Sequence, residues 1–188
     1  MWYYASCMKR IALYRHSTKT QPGDADLSPE GIALAKTVGA SLRGKGFTHL
    51  FVSSLSRTRE TIDLFAQGAG DFPEVPYALF PPHTDVSSTK EGLSLWGGAC
   101  NRAEHQGNDM MRAALQEEPI LSQKMAEEGA ESFRKFVGFL PEEANALVVD
   151  HSPFLELLAY GLFDVVMKQL DFCEGFVIEE HEGAMRLV

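Results

Sequence analysis

The chain has 188 residues, enough for one domain with a substantial core and short for two. With 45% hydrophobic and 23% charged residues it has the composition of an ordinary soluble globular protein, and its net charge of -9 argues against an extended nucleic-acid partner, which needs basic residues to displace counterions. Three cysteines at wide, irregular spacing, Cys7, Cys100 and Cys173, make neither a disulfide framework nor a metal knuckle, so a reducing, cytoplasmic compartment is expected.

The opening MWYYASCMKR has its basic residues after a short aromatic run, the reverse of a signal peptide. RIALYR, residues 10 to 15, reads as a buried strand ending at Arg15. LSPEGIALAKTVGASLRGKG follows with Ser28 as N-cap and Pro29 at the first helical position. Ile32, Ala35, Val38 and Leu42 fall on one face of this helix, and Gly44 or Gly46 closes it. HLFVS, residues 49 to 53, is a second apolar strand, and LSRTRETIDLFAQGAG a second helix ending in glycines. The β-α-β-α order points to a mostly parallel sheet with helices on its faces, an α/β three-layer arrangement.

Residues 71 to 124 are rich in Pro and Gly with little periodicity. A short strand near 77 to 80 and a helix from about 108 are expected there, and the whole segment is expected to be a substrate-facing insert. Regularity returns in EEGAESFRKFVGFL, with Phe133, Phe136, Val137 and Leu140 at helical spacing, and in ALVVD, residues 146 to 150, a third apolar strand. Ser152 and Pro153 then stand where a helix would be capped and opened. FLELLAYGLFDVVM carries Glu156 and Asp164, so it reads as a buried helix rather than a membrane span. GFVIEEHEGAMRLV reads as two strands around a His-Glu-Gly turn.

Each of the three best strands ends in polar groups: Arg15 and His16, then Ser53, Ser54 and Arg57, then Asp150 and His151. Ligands of open parallel sheets bind at the carboxyl ends of the strands, so these groups are candidates for one crevice. Guanidinium groups match phosphoryl oxygens and stay charged at neutral pH, and a histidine among them can serve as base, acid or nucleophile. Each residue also has a structural reading: His16 as a satisfied strand-end histidine, Arg57 and Arg59 as helix-surface residues, Asp150 with His151 as a hydrogen-bonded pair. The joint placement at corresponding strand ends favours the functional reading.

LYRHSTK, LSPEGIALAKTVGASL, VSSLSRTRET, GAESFRKFVGFL and ALVVDHSPFLELL, in this order, resemble the motifs of the histidine phosphatase superfamily, the phosphoglycerate mutase-like fold. The resemblance implies that His16 is the nucleophile that becomes phosphohistidine, that Arg15 and Arg57 clamp the phosphoryl oxygens, and that His151 donates to them, with no cofactor or metal. The signature's glycine is Ser17 here, and Lys19 stands where one branch often has a further arginine. The general acid, which the family takes from the segment after the second arginine's helix, has three candidates, Asp85, Glu91 and His83, of which Asp85 matches the interval best. An Asp capping a turn after two prolines is the structural alternative.

The function expected from the resemblance is hydrolysis of a phosphomonoester or phosphoamidate, on a small phosphorylated substrate or a phosphohistidine protein, with neither nucleic acid nor membrane as partner. The short length is closer to the small phosphohistidine phosphatases than to the mutases. Alternatives are a mutase-type phosphotransferase, a phosphate-binding module with an impaired site, and, least favoured, a metallohydrolase using His16, Asp150 and His151. Phe80, Trp96, Asn101, Arg102 and His105 are expected to rim the pocket and select the leaving group.

Overall fold

The computed structural model describes residues 8–21, 25–73, 78–80 and 90–188, with the backbone alone for 90–93. Its contacts divide the described chain into two compact units: one from residues 8–80, Val137–His151 and Asp171–Val188, the other from residues 90–136 and Ser152–Leu170.

The first unit holds a six-stranded mixed sheet. Strands β1 (Met8–Arg15), β2 (His49–Val52), β3 (Ala78–Leu79), β4 (Asn145–Asp150), β5 (Gly175–His181) and β6 (Ala184–Leu187) lie in the order β3-β2-β4-β1-β5-β6. The pairs β2 with β3, β2 with β4 and β1 with β4 are parallel, whereas β5 runs antiparallel to both β1 and β6. β6 runs antiparallel to β5 because the two form the tail hairpin, whose turn places Glu182 at φ 51 and Gly183 at φ 86, the left-handed pair that a tight two-residue turn demands.

Two helices pack on this sheet. In α1 (Pro29–Ser41) the hydroxyl of Ser28 accepts from the Gly31 N–H at 3.0 Å, as the sequence predicts, and the following α2 (Ser56–Ala69) ends at Gly70 with φ 72. Ala35, Leu42, Ile62, Leu64 and Phe65 from the helices meet Ala12, Leu50, Val52, Leu147 and Val149 from the strands in one core, with Ile32 and Val38 at its margin. The helices approach closely because Gly39 has no side chain: a Cβ there would lie 2.4 Å from the Phe65 carbonyl oxygen.

The second unit is helical, and here the expectation for 71 to 124 needs correcting. A helix, α3 (Lys90–His105), occupies much of the stretch that reads as irregular, and α4 (Met110–Glu117) follows with Asp109 as its cap, accepting from the Arg112 N–H at 2.9 Å. Next come α5 (Pro119–Phe139), whose last turn from Val137 belongs to the first unit, and α6 (Phe154–Phe163). Trp96, expected at a pocket rim, is instead core: it is 3% exposed, its ring centroid lies 5.1 Å from that of Phe154, and its Nε1 donates to Ser122 Oγ at 3.0 Å. Phe80, in the first unit, is buried as well, while Asn101, Arg102 and His105 are exposed, Arg102 paired with Glu117. Ser152 does not cap α6. Its hydroxyl donates to the buried Glu156 carboxylate at 2.6 Å, and the same oxygen accepts the Leu170 N–H at 2.8 Å. Among the described residues, no helix is long and apolar enough to cross a membrane.

Candidate active site

The parallel register puts the polar strand ends at one edge of the sheet. Arg15 closes β1 opposite Asp150, the last residue of β4, and Val52 closes β2 opposite Val149. The His16 N–H continues the ladder with a 2.8 Å bond to the Asp150 carbonyl, so the backbone fixes the nucleophile candidate directly beside the residue that precedes His151. Arg15, His16, Arg57 and Asp150 are all buried, at 7%, 3%, 8% and 0% exposure, which for charged groups requires compensating partners.

The loop after β1 is tied to both helices. The Ser17 N–H donates to Thr61 Oγ1 at 3.0 Å, and that hydroxyl donates to the Arg57 carbonyl at 2.7 Å, so one threonine links the His16 loop to the turn that carries Arg57. Ser17 itself is fully buried, and its hydroxyl donates to the Gly31 carbonyl at 2.7 Å. Gly31 must stay bare, since a Cβ would sit 2.2 Å from the Thr18 carbonyl oxygen. The serine in the signature's glycine position therefore serves as a tether between the loop and the start of α1. Lys19 forms an isolated bridge with Leu27, and Arg59 is exposed, in line with a surface role.

The state of His16 follows from its contacts. Nδ1 lies 2.6 Å from the Ser17 carbonyl oxygen, which can only accept, so Nδ1 carries the proton and Nε2 keeps a lone pair. Burial is the largest influence on this imidazole, and with the positive charges of Arg57, Arg15 and His151 it lowers the pKa from 6.5 to about 3, against the opposing pull of the Ser17 carbonyl. The ring is neutral at physiological pH. Arg57, Arg15 and His151 thus all lie near enough to His16 to influence its charge.

His151 is oriented by its neighbour. Its Nδ1 donates to Asp150 Oδ1 at 2.7 Å, with the carboxylate fully buried and the imidazole 20% exposed, so a proton stays on Nδ1 and Nε2 is the atom that can meet a ligand. The hydrogen-bonded pair read from the sequence is thus present within the same cluster as His16, and the two readings are compatible.

Sequence reasoning missed Phe172. Its ring lies under the Arg15 guanidinium, 4.2 Å from carbon to centroid, and its centroid is 5.8 Å from that of His16. DFCEG, around it, has no periodicity to single it out. Cys173 is buried, with its thiol pushed up to about 11 by desolvation, so it is neither thiolate nor nucleophile at neutral pH. Of the candidate acids, Asp85 and His83 lie outside the described residues, and Glu91 is placed in α3 by its backbone alone. Among the described residues, no group of three or more His, Cys, Asp or Glu side chains is arranged to hold a metal ion.

A buried neutral imidazole with a directed lone pair, under the influence of two guanidinium groups and a second imidazole, is chemically suited to a tetrahedral oxyanion. Comparison with known proteins bears on this directly. The model of the histidine phosphatase superfamily (branch 1) matches residues 12–79, while no curated protein matches the chain by sequence. In shape the chain is similar to phosphoglycerate mutase from Bacillus anthracis, at a TM-score of 0.66 and 15% identity over 97% of this chain and 92% of that one. It is similar to a putative alpha-ribazole-5'-P phosphatase from Escherichia coli, at 0.61 and 21% identity over 96% and 94% of the two chains. It is similar also to mycobacterial glucosyl-3-phosphoglycerate phosphatase, at 0.60 and 14% over 96% and 97%. Residues 12–79 thus carry the sequence pattern of the histidine phosphatase superfamily, on the fold of the phosphoglycerate mutase-like proteins.

Proposed function

We propose that this chain is a phosphatase that hydrolyses a phosphomonoester or phosphoamidate through a covalent phosphohistidine on His16. The observation that carries the proposal is the protonation pattern of His16: a proton held on Nδ1 by the Ser17 carbonyl, a lone pair on Nε2, and a pKa lowered to about 3 by burial and the neighbouring cations. An imidazole held neutral in this way is available as a nucleophile throughout the neutral range.

In the first step the Nε2 lone pair attacks phosphorus, an N–P bond forms, and the bond to the leaving group breaks with its electron pair departing on oxygen or nitrogen. That atom takes a proton from the general acid, for which Asp85 is the proposed residue; a carboxyl group must be protonated to donate, which a nearby phosphate's negative charge favours. Arg15 and Arg57 face the equatorial oxygens, and His151 turns Nε2 to the same group. These contacts supply charge stabilisation and alignment, which dominate catalysis of phosphoryl transfer. In the second step a water oxygen attacks phosphorus and its proton passes to the group that acted as acid. The N–P bond breaks back onto Nε2, and inorganic phosphate leaves. The phosphatases among the proteins of similar shape support hydrolysis of a phosphomonoester as the reaction class.

Rapid acid-free quenching of the protein with a ³²P-labelled phosphomonoester is expected to give an acid-labile, alkali-stable label that maps to His16 and is absent from His16→Asn. Turnover without any label on His16 would overturn the covalent route. Transfer of the label to a second hydroxyl of the substrate in preference to water would indicate a phosphotransferase instead.

A further inference from the structure

We infer that Phe172 is a positioning residue of this site, whose ring face sets the plane of the Arg15 guanidinium in readiness for an anion. The inference rests on the proposed phosphate site but concerns a side chain that no sequence motif marks. The turn that presents Phe172 is latched to the end of β1: the Arg15 N–H donates to the Glu174 carbonyl at 2.8 Å, and the Cys173 N–H donates to the Arg15 carbonyl at 3.2 Å. The turn is also closed on itself, with the Asp171 N–H donating to Glu174 Oε2 at 2.7 Å and the Glu174 N–H to the Asp171 carbonyl at 3.0 Å. Backbone bonds therefore fix the Cα of Arg15, but they leave its long side chain to be oriented by what it touches.

Among what it touches is the Phe172 ring, at 4.2 Å. An aromatic face attracts a guanidinium without offering it a competing oxygen acceptor, so the contact restrains the side chain while its N–H donors remain suited to phosphoryl oxygens. The same ring stands 5.8 Å from His16 at an interplanar angle of 48°, adding to the apolar side of the imidazole's surroundings. One aromatic residue thereby borders both the clamp and the nucleophile. A Leu would fill much of the same space but offers no π face.

The test uses inorganic phosphate as the probe, by calorimetric titration of the full chain, with Phe172→Leu, Phe172→Ala and Phe172→Tyr beside the wild type. Loss of the stack is expected to weaken phosphate binding about tenfold in Phe172→Leu, while Phe172→Tyr stays within about twofold. In NMR the Arg15 Nε–H proton of the wild type is expected to show an upfield ring-current shift that Phe172→Leu abolishes and Phe172→Tyr retains. Phe172→Ala is expected to weaken binding at least as much as Phe172→Leu, and Phe172→Leu guards against a simple folding defect, since it keeps most of the bulk. Equal phosphate affinity in wild type and Phe172→Leu, or equal weakening in Leu and Tyr, would overturn the inference. Failure of the wild type to bind phosphate would overturn it together with the proposed site. Binding with the expected Leu and Tyr pattern, but without phosphohistidine, would sustain the role of Phe172 and reject the covalent reaction alone.

Discussion

Lowering the pH from about 7 to about 4 protonates the imidazole of His16 in the unfolded chain and leaves it largely unprotonated in the folded one. The pKa of 6.5 in the open chain falls to about 3 on folding, chiefly through burial and further through Arg57, Arg15 and His151. Because the folded value is depressed, the contribution to stability is complete above the unfolded pKa and is lost as pH falls through the window from 6.5 to about 3. At about pH 4 nearly every unfolded molecule carries the proton and about one folded molecule in ten does. Integrating the linkage gives about 3 kcal/mol less stability than at about pH 7 from this one side chain. Other groups titrate over the same range, so the effect is read as a difference. Urea unfolding of the wild type and of His16→Asn, followed by circular dichroism at both pH values and constant ionic strength, isolates it. The asparagine amide keeps a donor near the Ser17 carbonyl and cannot titrate. The stability of His16→Asn relative to wild type is expected to rise by about 3 kcal/mol on acidification. A change below about 0.5 kcal/mol would mean that folded His16 protonates near its ordinary pKa, and the case for a neutral nucleophile would fail.

Three further outcomes are expected. Asp150→Asn removes the carboxylate that accepts from His151 Nδ1 at 2.7 Å, and should lower kcat/KM for a phosphomonoester by about tenfold to a hundredfold while phosphate still binds. Gly39→Ala should destabilise by about 1–3 kcal/mol in urea unfolding, because its Cβ meets Phe65 backbone atoms at 2.4 and 2.7 Å. Gly97→Ala on α3, with nothing within 4 Å, should be neutral or stabilising by up to about 1 kcal/mol. Trp96→Ala should cost about 3–5 kcal/mol, and Trp96→Phe should lower the melting temperature with KM unchanged, since the indole fills the helical unit and donates to Ser122; a shift in KM without loss of stability would instead make it a substrate wall.

The parts of this molecule that were legible in the sequence are those where local chemistry and tertiary demand coincide. Ser28 followed by Pro29 can do little but start a helix, and His-Glu-Gly before a final apolar stretch can do little but turn. The strand ends stood out because Arg15, Asp150 and His151 interrupt aliphatic runs abruptly, and the parallel register then brings them to one edge. Helix α3 was illegible for a physical reason. Its buried side chains, Trp96, Ala99, Cys100 and Ala103, keep helical spacing, but three of them are small, and Gly97 and Gly98 sit among them, so the apolar stripe is faint. Pro153 precedes α6 as its cap, one residue beyond the expected Ser152, whose hydroxyl donates to the buried Glu156 carboxylate where a capping hydroxyl would accept from a helix N–H. Phe172 could be found only in three dimensions, since stacking on Arg15 spans most of the chain.

A crystal structure of the chain with vanadate tests most directly whether these distant residues serve one anion. Vanadium bonded to His16 Nε2, with its equatorial oxygens on Arg15, Arg57 and His151, is the predicted result. Vanadate bound away from His16, or at His16 with Arg57 and His151 turned elsewhere, would contradict it.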